Sequence, residues 1–351
     1  MDTSNPYPQR PALEKRAKRI FKLVARGATN EQWTEWLRVP LEHAAAAGNA
    51  ELFNELLEAG ANSSAGWSGC RGRSLLEAAA HGGSVEVVSA ILEAGTQPDV
   101  DVALHIASSM GHEAAGKRLV VAGANVNFKH PVYQSTPLHR AVHGGREQLV
   151  NDLLQAGAST SPQQADEYRC TPLHIAAKKG HGGIVSTLLR SGADVSVLDA
   201  YGNSSLIWAA KGGHLAVVET LLAAGADVSV EGRMLDFLAS SPLGFAAELG
   251  HIGIMEAIIN AGADVNAVFH SLFGPEVPAL HCATSSGQVG AIDTLIKAGA
   301  DIDRLDMEGM TPLLRTAEES GFNTMSALLD RGVAVNAKGQ GGNTALHMVC
   351  R

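Results

Sequence analysis

Residues 171–195 read TPLHIAAKKGHGGIVSTLLRSGADV, and this stretch decides the fold. Thr171 followed by Pro172 has the form of a helix N-cap and first helical residue. Gly180 and Gly192 are of the residue type that most often ends a helix in the left-handed conformation. The stretch therefore predicts one helix, a tight turn, a second helix and then a polar loop.

The same pattern recurs along the 351 residues. The Thr-Pro-Leu-His phrase or a close variant begins at Thr136, Thr171, Ser241, Thr311 and Thr344. A second phrase, Leu-Leu-x-x-Gly-Ala or a variant of it, closes each unit. Its glycines, spaced 28 to 37 residues apart, are Gly27, Gly60, Gly95, Gly123, Gly157, Gly192, Gly225, Gly262, Gly299 and Gly332. A period near 33 residues indicates a repeat protein whose units stack on their neighbours.

Residues 171–181 followed by 188–195 resemble an ankyrin repeat almost residue for residue, and the resemblance covers nearly the whole chain. It implies an all-α solenoid of about ten stacked repeats with short β-hairpin fingers between them. It also implies that partner proteins bind to the finger tips and to the inner face of the first helices. We expect an N-terminal tail over 1–10, a capping helix and first finger over 11–38, and the solenoid over 39–351.

The two ends of the chain differ from the repeat. The basic run Lys15–Lys22 is interpreted as the solvated face of the capping helix, with a nuclear import signal or an anionic-membrane contact as alternatives. The last repeat stops at Arg351, within its first helix, so we expect it to be incomplete. The chain is then either a plain scaffold or the targeting or regulatory arm of a larger enzyme or channel whose effector domain lies beyond residue 351.

Composition excludes several classes of protein. The chain is 45% hydrophobic with a formal net charge of -9, and it has no run of 18 apolar residues that could cross a bilayer. Residues 181–330 hold six Lys/Arg against eighteen Asp/Glu, which argues against a nucleic-acid partner. Residues 1–30 lack the apolar core of a secretory signal, so we expect a cytoplasmic or nuclear protein. We also expect a monomer.

No catalytic constellation is present in the sequence. Nine of the fourteen histidines occupy fixed repeat positions, which favours hydrogen bonds to caps and turns over metal binding. His112-Glu113 begins like a zinc-protease motif, but Gly116 stands where the second histidine belongs. Phosphate-loop and esterase motifs are missing. The sequence predicts no enzyme activity, no cofactor and no metal site.

Binding candidates come from departures from the repeat. Two adjacent fingers, over 225–242 and 262–279, are lengthened and apolar, and they form either a partner site or a local core. Three tryptophans near the N-terminus form either a second site or a roof over the first layer. On the middle fingers, further candidates occupy variable positions. The candidates are Met234, Leu235, Phe237, Leu238, Phe269, Leu272, Phe273, Trp33, Trp36, Trp67, Leu198, Tyr201, Met307 and Met310. The sequence as a whole predicts a non-catalytic scaffold or adaptor for partner proteins.

Overall fold

A computed structural model describes residues 30–59, 61, 74–94, 99–161, 169–233, 239–268, 278–306, 308–318, 321–339 and 341–350. By its internal contacts the chain forms two compact units, residues 1–125 and 126–351. Both units are built from helix pairs. In each unit first helices pack on first helices and second helices on second helices.

The described part of the first unit holds three helix pairs. The first helices are α1 (Asn30–Ala46), α3 (Leu75–Gly82) and α5 (Val100–Met110), and the second helices are α2 (Ala50–Glu58), α4 (Val85–Glu93) and α6 (Glu113–Val121). Helix α3 packs against both α1 and α5, and α4 packs against both α2 and α6.

The described part of the second unit holds six helix pairs, one further first helix and one β-hairpin. The first helices are α7 (Pro137–His143), α9 (Pro172–Lys179), α11 (Ser205–Gly212), α13 (Pro242–Glu248), α15 (Ala279–Ser285), α17 (Pro312–Glu318) and α19 (Ala345–Val349). The second helices are α8 (Glu147–Gln155), α10 (Gly182–Arg190), α12 (Leu215–Ala223), α14 (Ile252–Asn260), α16 (Val289–Lys297) and α18 (Phe322–Leu329). Strands β1 (Gly232–Arg233) and β2 (Ala239–Ser240) pair antiparallel. The predicted all-α class with stacked helix pairs is confirmed.

The core of each repeat is a narrow apolar stripe on both of its helices. In α9 and α10 the side chains of Ala176, Ala177, Val185 and Leu188 are buried. Leu189 is only half-buried because it lies one position around the helix from the packed stripe. A single pair cannot cover its own stripe, so burial depends on the neighbouring pairs.

In several repeats a histidine side chain packs against the preceding repeat and forms a hydrogen bond to it. We call this contact the lock between repeats. Gly180, in the turn after α9, has a φ of 74°, and a Cβ at this position would lie 2.6 Å from Nδ1 of His214. His214 Nε2 donates to the carbonyl of Lys178 at 3.2 Å. In the first unit, His112 Nε2 donates in the same way to the carbonyl of His81 at 3.0 Å. The predicted role of these histidines in bonding between repeats is confirmed at both positions.

The histidine of the Thr-Pro-Leu-His phrase closes a capping box. Thr171 donates from its backbone N–H to Nδ1 of His174 at 3.2 Å, and Nε2 of His174 donates to the carbonyl of Asn203 at 3.1 Å. Burial lowers the pKa of His174 below its ordinary value, which keeps the ring neutral. The ring therefore bridges its own helix start and the next finger.

The repeat that begins with α15 is less well capped, because Pro278 occupies the N-cap of that helix. His281 Nε2 still donates to the carbonyl of Met310 at 3.1 Å. Proline offers neither an N–H nor a hydroxyl, and the buried Nδ1 of His281 has no hydrogen-bond partner among the described residues. Proline at this position therefore does not supply the bond that Thr171 makes to Nδ1 of His174.

One boundary differs from the sequence-based expectation. Helix α1 runs through the predicted division at residues 38 and 39, so the residues placed in a first finger are helical from Asn30 onward. Helix α5 begins at Val100, and the side chain of Asp99 caps it by accepting from the backbone N–H of Val102. In the α3–α4 turn the left-handed residue is Gly83, which follows Gly82, the last residue of α3.

The lock between repeats makes Gly180 more sensitive to substitution than Gly192, whose φ is 84° and where an added Cβ would have no atom within 4 Å. Both alanine variants carry the left-handed backbone strain, of about 1 kcal/mol. Gly180→Ala also displaces the His214 ring and should cost roughly 1 kcal/mol more. Urea unfolding measures both, and adding His214→Ala to each variant should reduce the difference. Equal losses of unfolding free energy in the two single variants would contradict a role for the His214 ring at Gly180.

Restoring the missing cap should stabilise the protein. Pro278→Thr supplies a hydroxyl and an N–H to Nδ1 of His281, and we expect a gain of about 0.5–2 kcal/mol in the free energy of unfolding. Pro278→Ala is the matched control, since it restores the N–H without the hydroxyl. If the threonine variant is no more stable than the alanine variant in urea unfolding, the hydroxyl has no role here.

Candidate functional site

A buried carboxylate anchors the finger that precedes α11. Asp199 accepts from the backbone N–H of Tyr201 at 2.8 Å and of Asn203 at 2.9 Å. Its second oxygen accepts from Nε1 of Trp208 at 3.0 Å. The carboxylate thus ties the turn of the finger to the first helix, which gives the finger a defined conformation.

The finger that precedes α17 has the same anchor with a different partner. Asp306 is buried, accepts from the backbone N–H of Met310 at 2.9 Å and forms an ion pair with Arg315. Arg315 also pairs with Glu308 at 3.0 Å and Glu318 at 3.4 Å. Both anchors join residues nine positions apart. The positive charge of Arg315 is therefore balanced by acidic neighbours.

The anchored fingers carry exposed apolar side chains. Leu198 precedes Asp199 and is 41% exposed, and Leu305 precedes Asp306 and is 55% exposed. On the finger before α7, Val132 and Tyr133 are exposed as well. Their exposed fractions place apolar surface at the solvent, where another molecule can contact it.

The exposed face of the first helices changes charge along the second unit. The position seven residues after the N-cap is occupied by His143 in α7, Lys178 in α9 and Lys211 in α11. The same position holds Glu248 in α13 and Glu318 in α17. Successive first helices are neighbours, so these residues form a column that is basic at one end and acidic at the other.

Aromatic rings support the basic end of this column. The ammonium of Lys178 lies 4.2 Å from the centre of the Trp208 ring, and that of Lys211 lies 5.3 Å from the centre of the Phe245 ring. Each lysine thus rests on a ring of the following repeat, within the range of a cation–π contact. On α7, Arg140 lies over Tyr133 at 4.7 Å.

We call this region the basic stripe, and its members are Arg140, His143, Lys178, Lys179 and Lys211. The pKa of His143 is lowered by partial burial and then by the positive charges of Lys179, Arg140, His181 and Lys178. These cations therefore act together on one surface, although the chain as a whole is acidic.

The sequence family follows from comparison with known proteins. The family description "Ankyrin repeats (3 copies)" matches residues 75–164, 138–232 and 280–351, which together make up more than half of the chain. The chain belongs to the ankyrin-repeat family. The crystal structure of the human ASB11 ankyrin repeat domain is similar, with a TM-score of 0.53 and 26% identity over 61% of this chain and 91% of that domain. No curated protein sequence matches the chain.

Ankyrin repeats are in general protein–protein interaction modules, and the fold is typically non-catalytic. The count of about ten repeats stays a prediction, since the family match covers three segments. Within the described ranges, no helix has both the length and the apolar character needed to span a membrane. The same ranges contain no group of three or more His, Cys, Asp or Glu side chains arranged to hold a metal ion.

Few of the predicted site residues fall within the described part of the chain. Those that lie outside it are Met234, Leu235, Phe237, Leu238, Phe269, Leu272, Phe273, Trp67 and Met307. Trp33 and Trp36 lie on helix α1, and their side chains also fall outside the described part. Leu198 is exposed and Tyr201 is half-buried.

One predicted contact residue is corrected. The side chain of Met310 is only 6% exposed, so it does not face a partner. Its backbone pairs with Asp306 at both N–H and carbonyl, and this pairing turns the residue inward at the base of the finger.

The basic stripe is not among the residues that the sequence pattern singled out. The signal was present, since His143, Lys178 and Lys211 recur at the repeat period. The placement of both lysines on rings of the next repeat depends on how the helices pack, which the period alone does not reveal.

The electrostatic field of the stripe can be measured at His143. We expect its NMR titration midpoint to lie below 6.5, the ordinary value for histidine, because burial and nearby cations disfavour its charged form. Its stabilising contribution is therefore complete above pH 6.5 and falls as the pH drops through the lowered pKa. Lys178→Gln with Lys179→Gln should raise the midpoint part-way, since burial remains. Lys297→Gln is the control. If Lys178→Gln with Lys179→Gln leaves the midpoint unchanged, burial alone lowers the pKa of His143.

Proposed function

We propose that this protein is a non-catalytic scaffold or adaptor that binds partner proteins through its hairpin fingers and the exposed face of its first helices. The observation that carries the proposal is the pair of anchored fingers. In each, a buried carboxylate holds the turn while the preceding leucine, Leu198 or Leu305, projects from it. An exposed apolar side chain on a rigid turn is suited to fill a pocket on another protein.

Anchoring matters for affinity as well as for shape. Ordering a mobile loop on binding costs free energy, and a turn that is already held avoids much of that cost. Asp199 accepts hydrogen bonds from the backbone of the finger, from the side-chain amide of Asn203 and from the Trp208 ring, so the turn is held before a partner arrives. The leucine beside it can then bury its remaining exposed surface against a partner without that ordering cost.

The lengthened fingers extend the proposed surface. Strands β1 and β2 pair on either side of residues 234–238, so the first of these fingers has a hairpin base. We include its apolar residues and those of the adjacent finger in the binding surface, together with Tyr201. They are Met234, Leu235, Phe237, Leu238, Phe269, Leu272 and Phe273. A cytoplasmic or nuclear location and a monomeric state remain predictions.

Exposed leucines on and off the fingers provide a matched test. Leu198→Ser with Leu305→Ser should remove most partners from the set recovered with the tagged chain in quantitative affinity purification from cells. At about 2 kcal/mol for each anchor, a partner that uses one of the two leucines should lose roughly 30-fold in affinity. Thermal stability should change little, because both side chains are exposed.

The control variant is Leu215→Ser with Leu329→Ser, since these leucines have exposures of 39% and 43% but lie on second helices. It should retain the partners. Phe237→Ser with Phe269→Ser should also lose partners if the lengthened fingers contribute. Retention of every partner by both finger variants, or equal loss in the control, would contradict binding through the fingers.

A further inference from the structure

We propose that the basic stripe binds an acidic peptide segment of a partner protein, one rich in Asp and Glu. This inference rests on the proposed function and names the chemistry of one partner at that surface. It is carried by Arg140 on α7, Lys178 on α9 and Lys211 on α11 and by the aromatic rings on which these cations rest.

The rings hold the cations in place before a ligand binds. A lysine side chain normally loses conformational freedom when it engages a carboxylate. Lys178 and Lys211 are each positioned on an aromatic ring of the next repeat, at 4.2 and 5.3 Å. Trp208 is itself fixed by its hydrogen bond to Asp199. The charges are therefore arranged in a row whose geometry is set by the helix stack.

The size of the stripe suits a short peptide. Packed helices lie about 8–10 Å apart, so three successive first helices span about 20 Å. An extended peptide covers this distance with roughly six residues, at about 3.3–3.6 Å each. Carboxylates on one side of such a segment can reach the cations of all three helices.

The surroundings of the stripe favour a peptide over a nucleic acid. Glu248 and Glu318 occupy the same column on α13 and α17, and residues 181–330 are strongly acidic. A long polyanion that continued along the first helices would be repelled there. A peptide can instead change its own charge, with an acidic part over α7 to α11 and a neutral or basic part over α13 to α17. The column thus also sets the direction in which the peptide lies.

A labelled decaglutamate peptide is the probe for this surface. We expect it to bind the full chain in fluorescence anisotropy, more weakly as salt is added, and to shift the NMR signal of the Trp208 indole N–H in the unmodified protein. Lys178→Glu with Lys211→Glu should raise Kd by about tenfold or more. Lys178→Gln with Lys211→Gln should raise Kd by a smaller factor. This variant keeps the test valid if the charge-reversed protein does not fold, and circular dichroism shows whether each variant is folded.

The matched control is Lys297→Glu with Lys338→Glu. It changes the net charge by the same amount at exposed lysines away from the stripe, and it should alter Kd by less than about twofold. Absence of decaglutamate binding, or equal weakening in the control, would overturn the proposal. Tighter binding of a single-stranded oligonucleotide or of phosphatidylserine vesicles through the same lysines would also overturn it.

The two proposals fail in different ways. If the lysine variants bind decaglutamate unchanged while the finger variants lose their partners, the acidic-peptide inference is wrong and the scaffold function stands. If the finger variants keep every partner, the scaffold proposal fails whatever the decaglutamate result.

Discussion

The fit of a histidine ring against the glycine of the preceding repeat is the contact on which the helix stacks depend. It occurs at Gly83 in the first unit and at Gly145, Gly180 and Gly213 in the second, where a Cβ would lie 2.4 to 3.1 Å from the ring of the following histidine. These glycines also have positive φ, so the turn needs glycine for two reasons. Each repeat buries its apolar stripe only when its neighbours pack against it.

The residues that hold the finger bases differ from those on the exposed face of the first helices. Finger bases are held by backbone bonds to a buried carboxylate, and the residue nine positions later can be an indole, as at Trp208, or a guanidinium, as at Arg315. Because the anchor needs only a hydrogen-bond donor at that position, the chemistry of the exposed helix face can change from one repeat to the next. The fold therefore tolerates a basic surface at one end of the second unit and an acidic one at the other.

Capping shows how one position affects a repeat. Thr171 and the carbonyl of Asn203 each bond one nitrogen of the buried His174 ring, while Nδ1 of His281, behind Pro278, has no partner in the described part of the chain. The repeat still folds, because its histidine keeps the bond to the next finger and its helix packs on both neighbours. The loss of one capping hydrogen bond does not unfold the repeat, because neighbouring repeats pack on both of its sides.

From the sequence alone follow the repeat, the helix pairs, the capping phrases and the bonding role of the repeated histidines, because each of these depends on residue type at fixed local spacing. Three other properties depended on the tertiary structure. They are the burial of Met310, the exposure of Leu198, and the placement of Lys178 and Lys211 on rings from other repeats. The physical reason is that a period of about 33 residues identifies equivalent positions. Only the packing of one repeat on the next decides which of those side chains meet and which face the solvent.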